Sequence, residues 1–507
     1  MNRLHCTFFA LLLAVGSPAA NAQCEQLNVS ATGGSIAISG KRAIASVYPN
    51  IIRFYEYGPI GWELSETVTT VGQIFFPNSV ALDGNTALVS NPEATVGGLF
   101  AAGRTYVYEH SGAQWTRSEL IVPSTTEMSF YGSALAIDGE RAVVGAIHAF
   151  PDMLVGDYLS RAYVFEKVAG SWQLVQELMP NPGGDFFGVS LAIEGDTLVA
   201  GASLNQLSSG PLSGSAYVYE RTAGTWQLTA QLDPLVPVQW QGFGESVALA
   251  GDTLFVGASN DYGGPPGFVE VFERQAGSWQ RTQHFESSVS YDGDRFGLSL
   301  AVSDGTLLVG APGHPGTGAG AIHRFERSGG LWQEVGTFTN EAAPNSMGRA
   351  VAIDGNAAIG STLDYGGYTI FYSLGIADGG NYCTATVNST GMSASISIEG
   401  CDSLSGNQLT LSASSVPPGS MGLFLFGPNR VQVPLDDGFR CVGTPFYRLS
   451  PLHSNAQGIL TDVIDFSSPS ANHVTPGTWY FQAYYRDLAA GASGANLSDG
   501  ARVELMP

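Results

Sequence analysis

Phe187-Gly188-Val189-Ser190-Leu191-Ala192-Ile193-Glu194-Gly195-Asp196-Thr197-Leu198-Val199-Ala200-Gly201-Ala202 is the stretch on which the fold turns. An apolar run enters a Gly-Asp pair and leaves as a second apolar run, the pattern of two strands, a and b, joined by a tight turn. The pattern returns from Phe243-Gly244 to Gly257-Ala258 and from Phe296-Gly297 to Gly310-Ala311-Pro312. Its turn glycines, Gly40, Gly84, Gly139, Gly195, Gly251, Gly305 and Gly355, are spaced 44 to 56 residues apart. Periods of about 40 to 50 residues belong to propeller blades or solenoid units.

Working outward, a variable Gly/Pro/Ser-rich loop follows strand b and leads to an alternating aromatic strand c, as in Ala216-Tyr217-Val218-Tyr219-Glu220. A short Ala-Gly or Gly-Gly turn then opens strand d at Trp115, Trp172, Trp226, Trp279 and Trp332. Four antiparallel strands per period, seven times over, predict an all-β chain with a seven-bladed β-propeller. The seventh copy has strands a, b and c but no Trp-led d, whereas Cys24-Glu25-Gln26-Leu27-Asn28-Val29-Ser30 resembles a d strand standing before the first copy. Joined, the two would form one composite blade that closes the ring and removes both sheet edges.

The N-terminus reads as a secretory signal over residues 1–22, with Arg3, an apolar run from Thr7 to Gly16 and a small-x-small site at Ala20-Asn21-Ala22. A secreted, periplasmic or cell-surface location after cleavage near Ala22 follows, with no transmembrane segment. A net charge of −23 with only 21 Lys+Arg repels phosphate backbones and excludes nucleic acid as a partner. The domain reading is a propeller over 23–376, a linker over 377–381 and a C-terminal β-sandwich over 382–507. In the last of these, strand-like stretches are Ser393 to Ile398, Gln408 to Ala413, Met421 to Phe426, Val431 to Val433 and Thr478 to Tyr485.

Phe-Gly, a strand, and then Gly-Ala-Pro or a close variant resemble the FG-GAP repeats of integrin α-chain propellers and of many exported bacterial proteins. Integrin-type blades often hold calcium in an Asp-rich loop between strands a and b. Here that loop is two to four residues long, too short to gather six to eight oxygens, so neither a metal nor another cofactor is expected. The C-terminal region resembles a module of exported bacterial proteins through Tyr382-Cys383, Phe439-Arg440-Cys441-Val442-Gly443 and Trp479-Tyr480-Phe481-Gln482.

Four cysteines remain after the signal, enough for two disulfides in an exported protein. Ring closure brings Cys24 near Cys383, so the favoured pairing is Cys24 with Cys383 as a latch and Cys401 with Cys441. The competing arrangement joins Cys383 to Cys441.

Strand alternation sends the a–b and c–d turns to one side of the disc and the b–c and d–a connections to the other. Long irregular segments all belong to the second set, and variable loops on a rigid scaffold are where binding residues gather. Tyr158, Trp240, Asp261, Tyr262, Tyr291, Asp292, Asp294, Asp364 and Tyr365 are the candidate ligand-binding residues there. No nucleophile elbow or His-x-x-x-His pattern is present, so no catalytic residue is nominated. The leading expectation is a non-enzymatic exported binding or adhesion protein for a protein or glycan ligand. A polymer-acting hydrolase or lyase and a purely structural envelope component are the alternatives.

Overall fold

The computed structural model describes residues 24–30, 34–47, 51–58, 61–69, 79–112, 114–120, 129–147, 160–180, 186–205, 210–260, 266–288, 293–313, 320–338, 347–355, 357–361, 368–373, 382–400, 404, 409–489 and 493–505. The signal-peptide reading falls outside them. Seven four-stranded antiparallel sheets come first, at 36–69, 80–120, 131–178, 187–232, 246–286, 299–338 and, for the seventh, 350–373 with 24–30. Each is a blade with strand order a-b-c-d. In blade 4 these are Phe187–Glu194, Thr197–Ala202, Ser215–Thr222 and Thr225–Leu232.

The a–b turns are as tight as the Gly-Asp pairs imply. Glu194 pairs with Thr197 across the two-residue loop Gly195-Asp196. The pairs Ser39–Arg42, Asp83–Thr86, Asp138–Arg141, Ala250–Thr253, Ser303–Thr306 and Asp354–Ala357 repeat that geometry in the other blades. Gly195 has φ +55° while Asp196 is not among the positive-φ residues, and a positive φ confined to the first loop position marks a type II′ turn, whose twist matches the flanking strands.

Ring closure is direct. Strand a of each blade packs against strand a of the next all the way round, blade 1 meeting blade 7. Between every adjacent pair lies an apolar cluster, seven in all. The last of these joins Ile36, Ala45, Tyr55 and Trp62 of blade 1 to Ala352 and Ile359 of blade 7. The expected composite blade is present: Cys24–Ser30 supplies its strand d, antiparallel to Tyr368–Ser373, with Cys24 opposite Ser373 and Ser30 opposite Tyr368.

The Phe-Gly and Gly-Ala motifs meet across the blade seams. Phe187, Phe243, Phe296 and Met347 are fully buried in the inter-blade clusters. A Cβ added to Gly201 of blade 4 would stand 1.9 Å from the carbonyl oxygen of Gly244 in blade 5. Gly145, Gly257 and Gly310 stand in the same relation to Gly188, Gly297 and Gly348. The serine three residues after each Phe completes the seam: Ser190 Oγ donates to Gly244 O at 2.8 Å, Ser246 to Gly297 at 2.6 Å and Ser299 to Gly348 at 2.9 Å. Each motif half therefore serves the neighbouring blade as well as its own.

Two further rings stitch the tight-turn side. The residue before each a–b loop caps the turn glycine N–H of the next blade: Asp83 to Gly139 and Asp138 to Gly195, both at 2.6 Å, Glu194 to Gly251 at 2.7 Å, and Ser39 to Gly84 and Ser303 to Gly355, both at 3.0 Å. Asp354 closes the series onto Gly40. Only Ala250 carries no acceptor at this position, and there the following turn changes type, with both Asp304 and Gly305 left-handed at φ +46° and +76°. At the ends of the c strands, Glu109–Lys167, Glu166–Arg221, Glu220–Arg274 and Glu273–Arg327 pair across consecutive seams at 2.5 to 2.7 Å.

The C-terminal region is two sheets packed face to face. One holds Ser395–Gly400, Leu409–Ser414 and Leu460–Ile464; the other is built on Met421–Gly427, Gly477–Arg486 and Ala495–Leu505. Ile396, Leu409 and Leu411 of the first share a core with Phe424, Phe426, Phe481, Tyr485 and Val503 of the second. A hairpin of Arg430–Leu435 and Gly438–Val442 covers part of the second sheet's outer face through Val442, which packs on Leu425 and Leu497.

Here the disulfide expectation is corrected. Cys383 is bonded to Cys441, with Cα atoms 6.1 Å apart, so the Cys24–Cys383 latch and the Cys401–Cys441 pair do not form. The cause lies one residue upstream. Tyr382 exchanges backbone hydrogen bonds with Gly500 at 2.9 and 3.0 Å, and its hydroxyl donates to Cys441 O at 2.9 Å, which seats Cys383 on the C-terminal sheets. Cys401 lies outside the described residues.

Candidate functional site

Of the nine candidate binding residues, Tyr158, Asp261, Tyr262, Tyr291, Asp292, Asp364 and Tyr365 lie outside the described residues. Trp240 and Asp294 remain, both on d–a connections, and they have opposite fates. Asp294 is fully buried. Its Oδ1 accepts the N–H groups of Gly267 and Phe296, each at 3.0 Å, and its carbonyl accepts the Gly313 N–H at 3.0 Å. It ties the connection before blade 6 to two b–c connections, and it is a fold-holding residue rather than an exposed ligand contact.

Trp240 belongs to the connection from blade 4 to blade 5, Asp233-Pro234-Leu235-Val236-Pro237-Val238-Gln239-Trp240-Gln241. Four of its apolar side chains stand in solvent: Leu235 is 59 % exposed, Val236 67 %, Val238 42 % and Trp240 43 %. A contiguous apolar run on the surface of a folded domain is the informative exception, since isolated apolar residues there are ordinary. Sequence reasoning picked out Trp240 and missed the other three. Their signal was an apolar stretch in a connection where turn formers were expected, bracketed by Pro234 and Pro237.

The loop is held from beneath at each step. Glu270, on strand c of blade 5, is fully buried where blades 3 and 4 carry Tyr163 and Tyr217. Its Oε1 accepts the Leu235 N–H at 2.9 Å and its Oε2 the Arg281 Nε at 2.7 Å, while a second Arg281 nitrogen donates to Asp233 O. A buried carboxylate persists only when paired and hydrogen-bonded, and this one has both. Asp233 Oδ1 accepts from Ser215 Oγ at 2.7 Å and Gln231 Nε2 at 3.0 Å. Burial first, and then the Asp233 charge, push the neighbouring Tyr217 hydroxyl up to about 12, so it stays neutral.

At the far end, Gln241 Oε1 accepts the Val238 N–H at 2.5 Å and Gln241 O accepts the Asn260 N–H at 3.1 Å. Trp240 N–H donates to Leu212 O at 2.9 Å, and Leu212 N–H to Gln239 Oε1 at 3.0 Å. These bonds join a d–a loop to the b–c loops on either side of it, which confirms that the two loop sets share one side of the disc. Trp240 also has φ +64°. A bulky L-residue in the left-handed region is under strain of about 1–2 kcal/mol and persists only where its surroundings over-determine it.

Chemically the arrangement presents a preformed apolar surface. Among the described residues, no group of three or more His, Cys, Asp and Glu is placed to hold a metal ion. No helix among them is long and apolar enough to cross a membrane.

Residues 172–219 match the FG-GAP repeat family. The chain carries an FG-GAP-type repeat. The matched unit starts at strand d of blade 3 and ends in strand c of blade 4, one strand out of phase with the blade itself. That offset is the same one that leaves Cys24–Ser30 to complete blade 7. No curated protein matches the chain.

Proposed function

We propose that this is an exported, non-enzymatic binding or adhesion protein that offers the b–c and d–a side of its propeller to an extracellular protein or glycan. The carrying observation is the loop 234–241, whose four exposed apolar side chains stand on a backbone fixed by Glu270, Arg281 and Gln241. Ordering a loop before contact lowers the entropy lost on binding, and exposed Trp is the residue type most often found at the centre of binding hot spots. The opposite side carries two-residue turns and polar groups engaged across the seams, which favours the loop side for this role.

The test is to present the mature chain to glycan arrays and to immobilised extracellular proteins, alongside Trp240→Gly and Val236→Ser variants. Retention of the wild type on one ligand class, lost in both variants, supports the reading. Absence of any retained ligand, or equal retention by the variants, overturns it.

A further inference from the structure

A second candidate lies on the outer face of the C-terminal sheet, on residues separate from those of the propeller loops. Strand Gly477–Arg486 alternates there: Phe481, Ala483 and Tyr485 enter the core, while Tyr480, Gln482, Tyr484 and Arg486 face outward. The disulfide-anchored hairpin covers the half near Tyr480 and Gln482, with Gln482 Nε2 donating to Phe439 O at 2.7 Å and Cys441 N–H to Gln482 Oε1 at 2.8 Å. Beyond the hairpin the sheet is left open as a cleft of about 370 Å³, whose lining includes Met421, Leu423, Pro451, Tyr484, Arg486 and Leu488, with Ser493 and small Gly and Ala positions completing it. That volume falls in the lower range of small-ligand sites, which run from about 300 to 1,000 Å³.

Five of the six larger residues offer apolar surface, and Leu488 is 80 % exposed at the rim. The sixth supplies a cation. Arg486 is exposed and, like Arg430, Arg440 and Arg448 of the same region, has no ion-pair partner among the described residues. The adjacent Asp487 is buried and accepts the Ser389 N–H at 2.8 Å. Asp436 accepts the Tyr484 hydroxyl at 2.9 Å, which holds that lining ring in place, and Asp437 accepts Ser493 Oγ at 2.8 Å. A guanidinium fork beside an aromatic face and aliphatic walls is complementary to a carboxylate carried on an apolar body.

We infer that this cleft binds a monocarboxylate with a compact apolar or aromatic body, the carboxylate on Arg486 and the body against Leu423, Tyr484 and Leu488. Such a group comes either as a free small acid or as the C-terminus of an apolar peptide. The probes are therefore 3-phenylpropionate and N-acetyl-Ala-Phe with a free carboxylate, each with its carboxamide as control, titrated into the full mature chain by calorimetry or NMR.

The expected result is binding of at least one acid with its amide about tenfold weaker, and loss of that difference in Arg486→Gln. Leu488→Ser is expected to weaken acid and amide alike by about threefold, through lost apolar contact. Tighter binding of the peptide than of the free acid assigns a protein partner, and the reverse a small molecule. Equal affinity for acid and amide, an unchanged Arg486→Gln variant with native circular dichroism, or no binding of either acid overturns the inference. Trp240→Gly leaves this binding unaltered, so its failure and that of the propeller reading are separate results.

Discussion

The Asp138 carboxylate in blade 3 accepts the backbone N–H of Gly195 in blade 4 at 2.6 Å, and it does so from the last position of its own strand a. The contact couples two turns that are 57 residues apart in sequence. Asp138→Ala removes a charged acceptor and leaves a turn N–H to water, so a loss of about 1 kcal/mol is expected, with Asp138→Asn recovering part of it. Urea denaturation of the three proteins side by side measures both effects. The converse change is also informative: Ala250→Ser introduces an acceptor where the series is broken, and a rise in urea midpoint is expected.

Gly201→Ala tests the seam. With the new methyl 1.9 Å from the Gly244 carbonyl, backbone against backbone, neither blade can yield without shifting the other. Destabilisation above about 3 kcal/mol is expected, in the range of overpacked cores or beyond. A thermal unfolding curve indistinguishable from wild type would show that the blades slide freely.

Trp240→Gly separates stability from recognition. Glycine adopts φ +64° without strain, and Trp240 is only partly buried, so the stability change is expected to stay within about 1 kcal/mol while ligand retention falls. Scanning calorimetry and the retention assay together read the two effects. A large fall in melting temperature would place Trp240 among the structural residues instead.

Glu270→Ala leaves Arg281 and the Leu235 N–H without their buried partner. A loss of about 3–5 kcal/mol is expected on breaking a buried pair from one side, with faster amide exchange across residues 235–240. Exchange confined to wild-type rates in that loop would mean that its order does not depend on Glu270.

Acid sensitivity is expected at the seam of blades 5 and 6. Burial alone would raise the Glu334 carboxyl, but His323 Nδ1 at 2.8 Å, the Ser288 N–H at 3.2 Å and the Thr337 hydroxyl at 3.0 Å outweigh it and hold it below its ordinary value. A carboxyl depressed in the folded state contributes stability that is complete above its unfolded value and is lost as pH falls through the folded one. Wild-type stability should therefore decline below about pH 4.5, and Glu334→Gln should flatten that limb of a urea-midpoint series.

Most of the fold was legible because its information is local. Gly195-Asp196 specifies its own turn, and the missing Trp-led strand after Tyr372 together with the orphan Cys24–Ser30 specifies the composite blade. Contacts between blades were not legible, since nothing around Asp138 identifies Gly195 as its partner. The same holds for Cys383, whose partner was decided by the Tyr382–Gly500 bridge, a pairing more than a hundred residues apart in sequence. Strand Ala495–Leu505 went unread because Ser498, Asp499 and Gly500 interrupt its apolar alternation; Ser498 is buried where its hydroxyl accepts the Ala483 N–H at 2.9 Å. The burial of Asp294 was not legible because a carboxylate beside a glycine has the same sequence signature whether it faces solvent or caps backbone within the fold.

The one-strand offset between the matched repeat and the blade also bears on how such a ring changes size. Duplicating or deleting a d-a-b-c unit leaves an array that still begins with a lone d strand and ends with an unpaired c strand. Whatever the copy number, the two ends remain complementary and the seam needs no new chemistry. Closure would then fall to the same two strands at any copy number, and the ring size is set by how the a strands pack against one another around the axis.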